Sequence, residues 1–143
     1  MKYFILKGQF YNNLNEDSFY LNETQLRLES FDIISINFDV FLNAKQIILF
    51  QKHFSGEFRL SPCIIKTMDG LKTNLFYLIR PTFRIETEKH FKINKNWQKI
   101  IDSKQIIIND DVHKFFLKNN IVGYNFVKYN PPIKSFAMQL KFI

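Results

Sequence analysis

A chain of 143 residues can bury one continuous core, and 46% hydrophobic content with seventeen Phe, six Tyr and one Trp excludes a disordered or low-complexity class. Four Gly and four Pro leave no long linker, so the chain reads as one domain, 1–143, and no apolar run approaches the roughly 20 residues that span a bilayer. The net charge of +7 is uneven: residues 1–42 hold three basic and six acidic side chains, residues 43–143 seventeen and seven.

Residues 3–10 (YFILKGQF) predict an N-terminal strand. The apolar stretch before Lys7 is too short for a secretory core, so the mature chain is expected to start at Met1 and to work in the cytoplasm. The turn-formers at 12–18 predict a loop. From Ile34 to Leu42 the apolar Ile34, Ile36, Phe38, Val40 and Leu42 alternate with Ser35, Asn37 and Asp39, which predicts one strand with a wet face. Asn43 then caps a helix of about three turns that ends near Ser55-Gly56. Beyond it, Asp69-Gly70 separates two apolar runs and signals a two-residue hairpin, with Pro62 placing the first strand at an edge or bulge and Pro81 closing the second. The single Cys63 has no disulfide partner and reads as a small buried apolar side chain.

Residues 83–93 alternate loosely, KNWQKIID (95–102) predicts a short helix, and Ile106–Ile108 a short strand. The clearest helix follows, capped by Asn109, with Asp110 and Asp111 in the first turn and Val112, Phe115 and Phe116 on one face. Asn119-Asn120 offers a left-handed stop, 121–129 resumes as a strand, and the alternation Phe136, Met138, Leu140, Phe142 predicts a last one. The class is α+β: a mixed, largely antiparallel sheet packed against two or three short helices. One internal echo stands out. Asn43 and Asn109, Phe50 and Phe116, and Lys52 and Lys118 share one offset, with Gly56 and Gly123 one residue off it; three identities do not establish a duplication.

VGYNFVKY (122–129) matches six of eight positions of the RNA-recognition octamer. That octamer belongs to the third strand of a β-α-β-β-α-β sheet. Here it follows a helix, and Val122 and Asn125 replace a basic and a small residue, so Tyr124 and Phe126 are expected to face a core. Sixteen Lys against four Arg also argue against base reading, leaving a basic nucleic-acid-binding module as an alternative. A metal-dependent nuclease is a second alternative, resting on Asp102-Ser103-Lys104 with Asp69 as the upstream acid. Asp110, Asp111 and His113 resemble ligands on paper, but helix capping explains the aspartates, and His53 suits a helix C-terminus. No phosphate loop, nucleophile elbow or zinc-spaced His/Cys pair is present. No catalytic, cofactor-binding or metal-ligating residue is therefore assigned.

The run from Asp32 to Pro81 has a strand, a polar cap, a helix ending at Gly-Glu-Phe, an apolar strand around a Pro, and a hairpin. It resembles the middle of certain small immunity proteins of bacterial polymorphic-toxin and contact-dependent inhibition systems. NDDVHKFFLKNNIVGYNF (109–126) is similar to their C-terminal helix and Gly-Tyr strand, and together the two segments cover about half the chain. The resemblance implies a non-enzymatic inhibitor, without cofactor, that binds a cognate toxin domain in the cytoplasm. Buried aromatics would carry its affinity and charge complementarity its encounter rate. This chain departs from the acidic character common among immunity proteins against nucleases, which implies a toxin with an acidic face or a contact through residues 1–42. Glu86, Glu88, Lys89 and His90, the densest titratable cluster, are the expected partner-binding residues. The Phe content also allows an apolar surface patch and a homodimer; no membrane partner is expected.

Overall fold

A computed structural model describes residues 1–11, 20–21, 30–67 and 73–132. Asparagine punctuates the chain twice. Asn43 Oδ1 accepts the Lys45 N–H at 3.1 Å and starts a 3-10 turn, Ala44–Gln46, that runs into helix α1, Ile47–His53. Asn109 Oδ1 accepts the Val112 N–H at 3.1 Å and starts helix α2, Asp110–Lys118, whose stop is Asn120 at φ 53°. In both places the side chain satisfies a backbone donor that the first helical turn leaves without a partner.

The described residues form ten strands: β1 Tyr3–Tyr11, β2 Tyr20–Leu21, β3 Ile33–Ile36, β4 Asp39–Asn43, β5 Phe58–Thr67, β6 Thr73–Pro81, β7 Arg84–Ile85, β8 Trp97–Ile100, β9 Gln105–Asn109 and β10 Tyr124–Tyr129. They run β2-β5-β6-β4-β3-β1-β9-β8-β7, with β10 on the other side of β1. Pairing is antiparallel except at β1–β3, β2–β5 and β7–β8. The α+β single domain with a mixed, largely antiparallel sheet is thus the fold.

The internal echo turns out to be a repeat of architecture. The offset that carries Asn43 onto Asn109 carries β4 onto β9, α1 onto α2, and the start of β5 onto the start of β10. Strand β6 lies between β4 and β5, and β1 lies between β9 and β10 in the same register. Phe58 faces Pro81 where Tyr124 faces Gly8, and Phe41 faces Leu78 where Ile107 faces Ile5. The parallel additions match too: β1 joins β3 through Gln9 and Ile34, as β7 joins β8 through Ile85 and Ile100. The first strand of the chain therefore completes the second half.

Packing obeys the same relation. The main core holds Leu6 and Ile79, Val40 and Ile106, Leu42 and Ile108, and Phe50 and Phe116 as equivalent pairs. The helices meet there, with Phe50 5.7 Å from Phe116 and 5.4 Å from Phe115 between ring centroids. Two smaller clusters lie on the opposite sheet faces, Ile34, Phe41 and Phe76 in one and Ile100, Ile107 and Tyr3 in the other. Asp32, 3% exposed, ties the halves together: its carboxylate accepts from Val122 N at 2.8 Å and Gln46 Nε2 at 3.1 Å and pairs with Lys45 at 3.3 Å.

Two predicted elements are corrected. Residues 34–42 form a hairpin and not one strand: Asn37 takes φ 57°, β3 folds back on β4, and Phe38 at the tip is 64% exposed. Residues 95–102 hold strand β8 in place of a helix. Pairing with β9 buries Trp97, Gln98 and Ile100 on both faces, and the Gln98 amide mimics a peptide against Lys92, at 2.9 and 3.3 Å. Residues 83–93 give only the short β7 and a 3-10 turn, Glu88–His90. Among the described residues Pro62 on β5 has β6 on one side and no strand on the other, the edge position expected of it. The Asp69-Gly70 turn, the 12–18 loop and the 136–142 strand lie outside the described residues.

Phe50 is fully buried, and Phe50→Ala is expected to lower stability by about 3–5 kcal/mol in urea denaturation. A Cβ at Gly8 would lie 2.6 Å from the Ile34 Cα, so Gly8→Ala must displace backbone and is expected to cost at least about 3 kcal/mol in the same assay.

Candidate functional site

The residues that sequence marked for partner binding sit on an exposed turn. Thr87 Oγ1 accepts the Lys89 N–H at 3.3 Å and closes the turn that carries Glu88, Lys89 and His90, all exposed, as is Glu86. The turn breaks the loose alternation of 83–93, so Glu86, Glu88 and His90 do not line one strand face. Glu88 has a structural job: its Oε2 accepts the Tyr129 hydroxyl at 3.2 Å and pins this turn to the end of β10. Burial, then the Glu88 charge and hydrogen bond, push the Tyr129 phenol up to about 12.

The nuclease and metal candidates are equally scattered. Asp102, Ser103 and Lys104 occupy the β8–β9 turn, where Lys104 takes φ 56° and its ammonium lies 5.0 Å from the Phe38 ring. Asp69 lies outside the described residues, and among those described no three His, Cys, Asp or Glu gather as a metal could require. His113 packs as a ring, 3.9 Å from Phe126 and 4.9 Å from Phe4, and burial lowers its pKa against the pull of Asp110. His53 stacks on Phe115 at 4.4 Å. Cys63 is half-buried among the second cluster, and burial raises its thiol pKa, which keeps it a thiol. The octamer-like strand is β10. Tyr124 lies 4.9 Å from Phe116, and both Tyr124 and Phe126 are half-buried against the main core.

Two features gather residues that sequence left apart. The first is the arm made by β5 and β6, which extends past the end of β4, since β4 pairs no further than Asn43 with Phe76. Just beyond that point Ile64 and Leu75 face each other, 59% and 42% exposed. The second is a cationic groove of about 280 Å³ lined by Asp39, Leu78, Ile79, Arg80, Pro81, Arg84 and Lys99. Arg59 stands opposite Arg80 in the β5–β6 ladder, and Arg84 opposite Lys99 in the β7–β8 ladder. Strand register brings these cations together, which is why separation along the chain hid them. The available signal was concentration: three of the four arginines fall within residues 59–84.

Among the described residues no helix is long and apolar enough to cross a membrane. The chain matches no family model and no curated protein. The Tyr129–Glu88 tie gives a direct prediction. In Glu88→Gln the phenol is expected to titrate below about 12, closer to its ordinary 10, in an ultraviolet titration. Because the folded value is raised, the tie stabilises fully below pH 10 and is lost as pH rises through about 12. The stability of Glu88→Gln should therefore fall less steeply than the parent's between pH 10 and about 12.

Proposed function

We propose that the protein is a non-enzymatic immunity protein that binds and neutralises a cognate bacterial toxin domain in the cytoplasm, docking through the β5–β6 arm. The observation that carries this reading is the Ile64–Leu75 pair. It is an exposed aliphatic contact on two paired strands, flanked along the same arm by Pro62 and the half-buried Tyr77. Exposed apolar surface rimmed by polar residues marks protein–protein contact sites, and the neighbouring Tyr77 is of the aromatic type that anchors them. Positive charge in the segment that carries the arm suits an acidic partner face and speeds encounter. The resemblance over 32–81 also runs through this arm.

The repeat lends further support. Ile64 has Asn130 as its counterpart in the second half and Leu75 has Lys2, so nothing in the shared architecture requires an apolar pair there. An exposed aliphatic pair kept in one half alone fits a contact with another protein.

Co-expression with the toxin encoded beside this gene is expected to restore growth and to yield a co-purifying complex. The double variant Ile64→Glu, Leu75→Lys, which places opposite charges across the ladder, should lose at least about 30-fold in affinity, as removal of a hot spot of about 2 kcal/mol does. Its thermal midpoint should stay close to the parent's, because both sites are exposed. Absence of rescue, or full affinity in the double variant, sinks the reading.

A further inference from the structure

The cationic groove departs from what a stable sheet prefers. Like charges facing each other across a ladder are destabilising, and two such pairs, Arg59–Arg80 and Arg84–Lys99, sit side by side. Among the described residues no carboxylate comes within 4 Å of any of the four. The groove wall holds Arg80, Arg84 and Lys99 against the single Asp39, an excess of positive charge that water and salt must screen. Burial lowers the Lys99 pKa; Asp39 opposes that, and Arg84 and Lys104 add to it.

The second half of the fold acts as an internal control. Through the repeat, Arg59 corresponds to Asn125, Arg80 to Lys7 and Asp39 to Gln105. The equivalent groove, of about 440 Å³, is lined by Lys7, Gln105 and Asn125 together with Ser35, Asn37 and Lys104. The same backbone geometry thus carries an amide facing a lysine, Asn125 and Lys7, where the first half has two facing guanidinium groups. The arginine pair is no demand of the fold.

We propose that the groove between β6, β7 and β8 is a binding site for a phosphate monoester in its dianionic form. The Arg80 and Arg84 forks match phosphate oxygens two at a time, and Lys99 adds a point charge. A doubly charged anion balances the three cations and one carboxylate of the wall, whereas a monoanionic carboxylate leaves one cation unmatched. Leu78 and Pro81 give the organic part of the ester an apolar wall, and about 280 Å³ falls near the lower end of the ~300–1,000 Å³ typical of ligand pockets. The inference is independent of the toxin-binding reading: it concerns a small anion held at the root of the arm, not a protein on its far end.

Calorimetric titration at low salt with inorganic phosphate and with glycerol phosphate tests it, with sodium acetate and sodium chloride as controls. Saturable one-to-one binding of glycerol phosphate is expected, weakened about tenfold or more by Lys99→Gln and by Arg84→Gln. Asp39→Asn should tighten it. Affinity should fall as pH drops below about 6, where the phosphate loses its second charge. Each cation variant removes a like-charge neighbour, so folding is expected to survive, and thermal midpoints check this; either variant suffices if the other is lost. The proposal is overturned by absent saturation, by equal binding of acetate, or by affinity unchanged in a folded Lys99→Gln or Arg84→Gln protein. It is equally overturned if a single-stranded oligonucleotide binds through these residues while glycerol phosphate does not, since the groove is then part of a nucleic-acid surface.

Discussion

Strand β1 serves two ladders at once, and Gly8 is where it changes partners. From Tyr3 to Leu6 the strand lies between β9 and β10, its pairing with β10 continues to Gly8, and from Gln9 onward it runs parallel to β3. The change brings its backbone against that of Ile34 at a distance that leaves no room for a Cβ. The Gly8 N–H then donates to the Ser35 hydroxyl at 2.8 Å, which satisfies a buried donor at the crossing point. Without that crossing the two halves would be separate open sheets, each with an unpaired central edge. Glycine permits the close approach because it has no side chain to displace.

The second half borrows its central strand from the start of the chain, so its closure is a long-range event. Contacts of this kind slow folding, because loop entropy must be lost before they stabilise anything. The aromatic cluster between the helices supplies the compensation. Phe50, Phe115 and Phe116 join both halves in one core, edge-to-face or tilted, the geometries in which aromatic pairs add about 0.5–1.5 kcal/mol beyond their buried area. Asp32 adds a polar lock across the same junction, where a carboxylate with several partners can remain buried.

Function is best sought where the repeat breaks. Core positions are conservative between halves, as Ile34 and Ile100 or Leu42 and Ile108 show, because both halves must fill the same space. The departures lie on the surface of the first half: Ile64 and Leu75 on the arm, Arg59 and Arg80 at its root. Neither set contributes to the core, and the paired arginines repel one another.

What the sequence determined by itself was local. The two Asn caps, the helix faces with Phe50 and Phe116, the left-handed stop at Asn120 and the strands ending at Pro81 and Tyr129 follow from capping chemistry and periodicity within a few residues. The core role of Tyr124 and Phe126 was legible too, since the octamer's strand followed a helix in the wrong topology. Only the tertiary structure decided the rest. Residues 95–102 became a strand because β9 pairs with them, and 34–42 became a hairpin because β3 and β4 find β1 and β6 on their outer sides. The groove formed because register sets Arg80, Arg84 and Lys99 side by side. Register depends on which strand lies next to which, and no short stretch of sequence contains its own neighbours.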